Sequence, residues 1–179
     1  IKDMDKRYLR SRISLVHQEN FLFSGSIKDN ISLGKDKITD KELLDIASYI
    51  NAVKFISKLP DKFNHEVLVG GANFSAGEKQ LIAFARALAH NGDIFILDEA
   101  TSSIDTHTEL LIQDAIKKLT QRKTSIIIAH RLSTILHADK IIVLSKGEIK
   151  EIGTHYELLQ KKGFYSKLYK LQYQNQVIY

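Results

Sequence analysis

Apolar positions along this chain recur in two periods. From Arg12 to Gln18 the order Arg-Ile-Ser-Leu-Val-His-Gln alternates polar and apolar side chains, which predicts a strand ending at Gln18. Ile94–Leu97, Ile126–Ala129 and Ile141–Leu144 are continuous apolar runs. They are too short for core helices and read as strands buried on both faces. Helical spacing governs the rest. Leu43, Leu44, Ala47, Ile50, Val53 and Ile56 share one helical face and predict a helix over 39–59, which Pro60, the only proline, terminates. Further helices are predicted over 26–31, 78–90 and 106–121, a short one over 133–138, and a helical tail over 155–175. Strand 140–145 should turn at Lys146-Gly147 into a second strand, 148–152.

Apolar strands alternating with helices predict an α/β protein with a parallel sheet covered on both faces. The helical block 26–90 interrupts that alternation and reads as an inserted lobe. The 179 residues suffice for one domain, and 44% hydrophobic with 26% charged residues excludes a disordered chain. There is no cysteine, so disulfide scaffolds, thiolate catalysis and Cys-based metal sites are excluded. No run approaches the ~20 apolar residues that span a bilayer. The chain opens at Ile1 without an initiator methionine, and the expectation is a piece of a longer protein. Net charge is +5, but 26 basic residues are scattered among 21 acidic ones. A basic balance admits nucleic acid or anionic membrane as partner without naming either.

Candidate chemistry concentrates at strand ends. Asp98 and Glu99 close the run Ile94–Leu97, at the sheet edge where open α/β folds bind ligands. An Asp ending an apolar strand is suited to hold Mg²⁺ in phosphate-transferring ATPases, and the next acid to polarise water. Helix-capping acids at a strand-to-helix turn are the structural alternative. Phe74-Ser75-Ala76-Gly77-Glu78 precedes a strong helix. Ser75 and Glu78 fit a capping box, which suffices as an explanation; exposed N–H groups and the Ser75 hydroxyl would also suit a phosphate. Ala129-His130-Arg131 ends another apolar strand on the same edge, Gln18 ends the first, and Asp105 precedes a further capping box, Thr106 with Glu109.

In chain order these segments closely resemble the nucleotide-binding domain of ATP-binding cassette (ABC) transporters. On that resemblance Gln18 lies in the Q-loop, and Ser75, Ala76, Gly77 and Glu78 in the signature motif. Asp98 is the Walker B aspartate, Glu99 the catalytic glutamate, Asp105 part of the D-loop and His130 the switch histidine. The resemblance implies a P-loop NTPase (RecA-like) parallel-sheet core with an inserted α-helical subdomain. Residues 1–25 would supply a core strand and the Q-loop, and 26–90 the helical subdomain with the signature. Residues 91–153 would be the core with Walker B, D-loop and switch histidine, and 154–179 a helical tail. ATP and Mg²⁺ are implied ligands, with Asp98 and Gln18 tending the metal, and Glu99 and His130 catalytic. A second nucleotide-binding domain, homo- or heterodimeric, and a transmembrane domain of the same chain are implied partners, at the cytoplasmic face of the membrane; nucleic acid is not. Phe21–Ile31, and the tail from Gly153 to Leu159, resemble the exporter branch of multidrug and lipid exporters.

The chain departs from the family in two ways. Phe74, Ala76 and Glu78 replace three of the five residues of the usual Leu-Ser-Gly-Gly-Gln signature, and Glu78 sets a negative charge beside the expected phosphate position. No Gly-x-x-x-x-Gly-Lys-Ser/Thr occurs; the one Gly-Lys pair, Gly34-Lys35, precedes Asp36. The family places that P-loop (Walker A) upstream of the Q-loop, so the N-terminal part of the fold is expected to be missing and the chain alone inactive. A DNA-repair or translation ATPase of the ABC type, and a non-catalytic partner cassette, remain as alternatives.

Overall fold

Four of the described helices begin where the sequence offers a hydroxyl followed three residues later by an acid. The computed structural model describes residues 2–33, 38–98, 106–121, 123–129 and 131–174. Ser26 with Asp29 opens α2 (Ile27–Ser32), and Thr39 with Glu42 opens α3 (Asp40–Tyr49). Ser75 with Glu78 opens α5 (Ala76–His90), and Thr154 with Glu157 opens α7 (His155–Gln160). Each pair satisfies two backbone donors that a helix start leaves without partners.

The chain divides into two compact units, 1–128 and 129–179. In the first, α1 (Lys6–Ser11) leads into β1 (Ile13–Val16). With β4 (Ile94–Asp98) and β5 (Thr124–Ile128) this strand forms a parallel sheet in the order β1-β4-β5. Register is set by Val16 opposite Leu97 and Asp98 opposite Ile128. Within the block read over 26–90, residues 25–67 hold α2, α3, α4 (Val53–Ile56) and a two-stranded antiparallel pair, β2 (Gly25–Ser26) and β3 (Glu66–Val67). One apolar core runs through sheet and block alike, from Leu22, Ile27 and Leu43 through Ile82 and Phe84 to Phe95 and Leu97. The block therefore has no core of its own. On the α5 side, α6 (Thr106–Thr120) adds Ile112, Ala115, Ile116 and Leu119 to that core.

Three local expectations change. The single helix over 39–59 is broken at Ile50–Ala52. Lys118 Nζ takes the Tyr49 carbonyl at 2.7 Å, Asn51 adopts a left-handed φ of 62°, and its amide donates to Asp114 Oδ2 at 2.8 Å. Tertiary hydrogen bonds to α6 thus replace the next helical turn. Coverage of the sheet is also uneven: Val16, Phe95 and Leu97 are buried, whereas Leu15, Ile126 and Ile128 of the opposite face are about half exposed. The short helix over 133–138 is a 3₁₀ turn at Leu132–Thr134.

In the second unit β6 (Ile141–Ser145) pairs antiparallel with β7 (Glu148–Gly153), the turn back that the sequence predicted. Lys146 and Gly147 both have positive φ, 51° and 77°, the backbone a two-residue hairpin turn requires. Helix α7 and α8 (Phe164–Gln174) pack on this hairpin around Ile141, Val143, Leu158 and Tyr165. Glu151 caps α8 by accepting from the backbone N–H groups of Phe164 and Tyr165.

Candidate functional site

Two of the predicted site residues arrive at one sheet edge. Strand β1 stops at Val16, two residues earlier than its alternation suggested, and Gln18 stands exposed in the bend that follows. Asp98 is the last residue of β4 and is partly buried. Val16 pairs with Leu97, so Gln18 and Asp98 leave neighbouring strands at their common C-terminal edge, with strands spaced ~4.8 Å apart. The third strand ends at Ile128, two residues before His130. Glu99, Asp105 and His130 lie outside the described residues. An amide oxygen and a carboxylate at adjacent strand ends are hard oxygen donors, the type Mg²⁺ takes, and Mg²⁺ commonly uses one or two protein oxygens alongside substrate phosphates. The pair fits that ion.

Ser75 stands elsewhere. It is the N-cap of α5, with φ −64° and ψ 161°. Helix α5 runs antiparallel to β1: Ala87 O accepts from Ser14 Oγ at 3.0 Å, while Ala83 lines a cavity with Val16 and His17. Ser75 precedes Ala83 by two turns, so it lies ~12 Å further along the axis, beyond the end of β1. Among the described residues, Ser75 hydrogen-bonds only within its own helix start.

The Ser75–Glu78 geometry answers the question the sequence raised about a misplaced charge. The Glu78 carboxylate turns back to accept from the Ser75 backbone N–H at 2.9 Å and from its hydroxyl at 2.8 Å, while Glu78 N–H donates to Ser75 Oγ at 3.3 Å. The charge belongs to the cap and gains from the helix dipole. As a result the Ser75 hydroxyl proton is already used. Ala76 begins the helix and takes an ordinary helical backbone, so the methyl group is accommodated. Gly77 is buried within the first turn. Phe74 is buried against Phe55 and His65, with ring centroids 6.4 and 6.0 Å away, and anchors the segment to the helical block.

Sequence reasoning passed over Arg86. It is the one charged residue in Leu81–Leu88 of α5, and that isolation among apolar neighbours was the available signal. Its guanidinium donates through Nε to Asn30 O at 2.8 Å, through Nη2 to Asn30 Oδ1 at 3.0 Å and through Nη1 to Phe21 O at 3.3 Å. It also lies over the Phe23 ring, 5.9 Å from the centroid. Burial lowers its pKa, though an arginine stays protonated in proteins. Asn30, 1% exposed, in turn accepts from Phe23 N–H and donates to Phe23 O and Ser26 O. Phe21 and Phe23 meet edge to face at 5.1 Å and remain half exposed.

Comparisons with known proteins follow the same segments. The ABC transporter family model matches residues 1–102. Multidrug export ATP-binding/permease proteins of Staphylococcus aureus, strains bovine RF122 / ET3-1 and NCTC 8325 / PS 47, are each 47% identical over 172 residues. Those matches cover 96% of this chain and 30% of each relative. Among solved structures, a bacterial Atm1-family ABC exporter with ATP bound superposes with a TM-score of 0.89 and 37% identity, over 96% of this chain and 30% of that one. The chain thus spans about a third of the length of these relatives. No helix among the described residues is long and apolar enough to cross a membrane. A P-loop NTPase sheet that delivers Gln18 and Asp98 to one edge, and a family match that runs from that sheet through the Ser75 helix, place this chain in the ABC transporter family.

Proposed function

We propose that this chain is part of the ATP-hydrolysing domain of an ABC exporter, working at the cytoplasmic face of a membrane as one section of a longer protein. The observation that carries the reading is the convergence of Gln18 and Asp98 at neighbouring ends of one parallel sheet, with Glu99 next in the chain. Residues 1–25 and 91–153 would form the core, 26–90 the helical subdomain and 154–179 the tail. Mg²⁺, when bound with ATP, would screen phosphate charge; Asp98 and Gln18 are the residues to hold it. Glu99 would accept a proton from the attacking water, and His130 would contact the terminal phosphate and orient Glu99.

Ser75, Ala76 and Gly77 would meet the phosphate of a nucleotide held by a second domain, and Asp105 would lie in the same contact. The ~12 Å offset between Ser75 and Ala83 along α5 supports this division into half-sites. Names of relatives that refer to multidrug export support the export of small molecules as the work driven. A second reading, a partner cassette with a weakened signature, is favoured by the engagement of the Ser75 hydroxyl with Glu78.

The deciding experiment is Glu99→Gln in the full-length protein. ATP binding should persist while hydrolysis falls ~10²–10⁴-fold, the usual loss on removing a general base. Turnover within a few-fold of wild type would exclude Glu99 as the base and favour the partner-cassette reading.

A further inference from the structure

The residues on either side of Gln18 line a cavity. His17, Asn20 and Phe21 border this space of about 190 Å³ against Ala83 and Arg86 of α5. Asn20 Oδ1 is buried with no hydrogen-bond partner from the described residues. A segment with little packed beneath it takes its position from its two ends. At the upstream end, Val16 is held in the sheet opposite Leu97. At the downstream end stand the Arg86 bonds to Phe21 and Asn30, and the Asn30 bonds that hold both backbone groups of Phe23.

These bonds are strong for a physical reason. Three oxygen acceptors receive a desolvated cation in a planar fork, and charge-assisted bonds of that kind are about twice as strong as neutral ones. Asn30 Oδ1 accepts from Phe23 N–H and from Arg86 Nη2 together, so the two anchors reinforce one another.

We propose that Arg86 is a positioning residue for Gln18: it fixes the downstream end of the loop, and so sets where the Gln18 amide meets the metal–nucleotide. The proposal rests on the reading of Gln18 given above. Arg86 touches neither nucleotide nor metal; it acts through Phe21 and Asn30. Lysine cannot replace it fully, because a single ammonium does not span both Asn30 oxygens and the Phe21 carbonyl.

The test is a double-mutant cycle in the full-length protein, using Arg86→Lys to preserve folding, with Gln18→Ala and the combination. Gln18→Ala should raise the Mg²⁺ concentration for half-maximal ATPase, by roughly 10-fold or more if a ligand is lost. Arg86→Lys should shift it in the same direction by a smaller factor, and the double variant should match Gln18→Ala alone. Amide hydrogen exchange at residues 20–23 should accelerate in Arg86→Lys while Ser14–Val16 stay protected. Shifts that multiply in the double variant, or exchange at 20–23 equal to wild type, overturn the proposal while leaving Gln18 its role. A Gln18→Ala protein with wild-type Mg²⁺ dependence refutes the reading of Gln18 itself, and the proposal with it.

Discussion

Replacing Glu78 by Gln should push helix stability and nucleotide binding in opposite directions. In the present geometry one carboxylate oxygen serves both the N–H and the hydroxyl of Ser75, at 2.9 and 2.8 Å. Glutamine keeps an acceptor but loses the charge, and with it the favourable interaction with the helix start, ~0.3–1 kcal/mol. For a chain of this size that lowers the melting temperature by ~1–4 °C. A phosphate oxygen that drew the Ser75 hydroxyl proton away from Glu78 would lie within ~6 Å of the same carboxylate. At that separation a unit charge repels by ~0.7 kcal/mol in water and ~3 kcal/mol at an effective dielectric of 20. Removing it should strengthen ATP-driven association of two domains by roughly 3- to 100-fold, since each 1.4 kcal/mol is tenfold. Half-saturation by ATP, measured in full-length protein carrying Glu99→Gln to suppress turnover, reads this directly. Added salt should narrow the gap. A variant that melts earlier but needs as much ATP as its parent, or more, would show that no phosphate comes near Glu78, and the half-site assignment of Ser75 would fall.

Ser75→Arg in the full-length protein should leave ATP binding by a single domain nearly intact and abolish ATP-driven association; equal loss of both, in equilibrium binding and sedimentation, would place Ser75 in its own domain's site. The 179-residue chain contains no Gly-x-x-x-x-Gly-Lys-Ser/Thr cradle, so calorimetric titration should find no saturable MgATP binding below ~1 mM; micromolar binding would contradict this. Ser14→Val should destabilise the chain by ~1–3 kcal/mol in urea unfolding, because the buried Ser14 hydroxyl donates to Ala87 O and accepts from Gly92 N–H, which would be stranded. Asp29 has a lowered pKa, chiefly from its hydrogen bond with the Ser26 hydroxyl and then with the Ser26 backbone. A depressed folded-state value means its contribution is present above the unfolded pKa and is lost as pH falls through the folded one. Asp29→Asn should therefore melt earlier than wild type at neutral pH, and the difference should vanish in acid.

Much of this protein is legible in its residues alone, because local rules dominate where they apply. Ile94–Asp98 reads as a strand without reference to any neighbour, and helices 27–32 and 76–90 begin at hydroxyl–acid pairs that need only their own backbone. The candidate metal residue Asp98 is equally local, an acid closing the apolar run Ile94–Leu97. Tertiary structure decided what depends on partners far away in the chain. The break after Tyr49 comes from Asp114 and Lys118, more than sixty residues on, whose hydrogen bonds outcompete another helical turn. That the Glu78 carboxylate turns back onto its own cap is a matter of side-chain geometry, since the same spacing allows other directions. Arg86 and Asn30 acquired a role only when α5 was laid against the segment after Gln18, because a half-buried cation must find its acceptors in whatever chain the fold brings beside it.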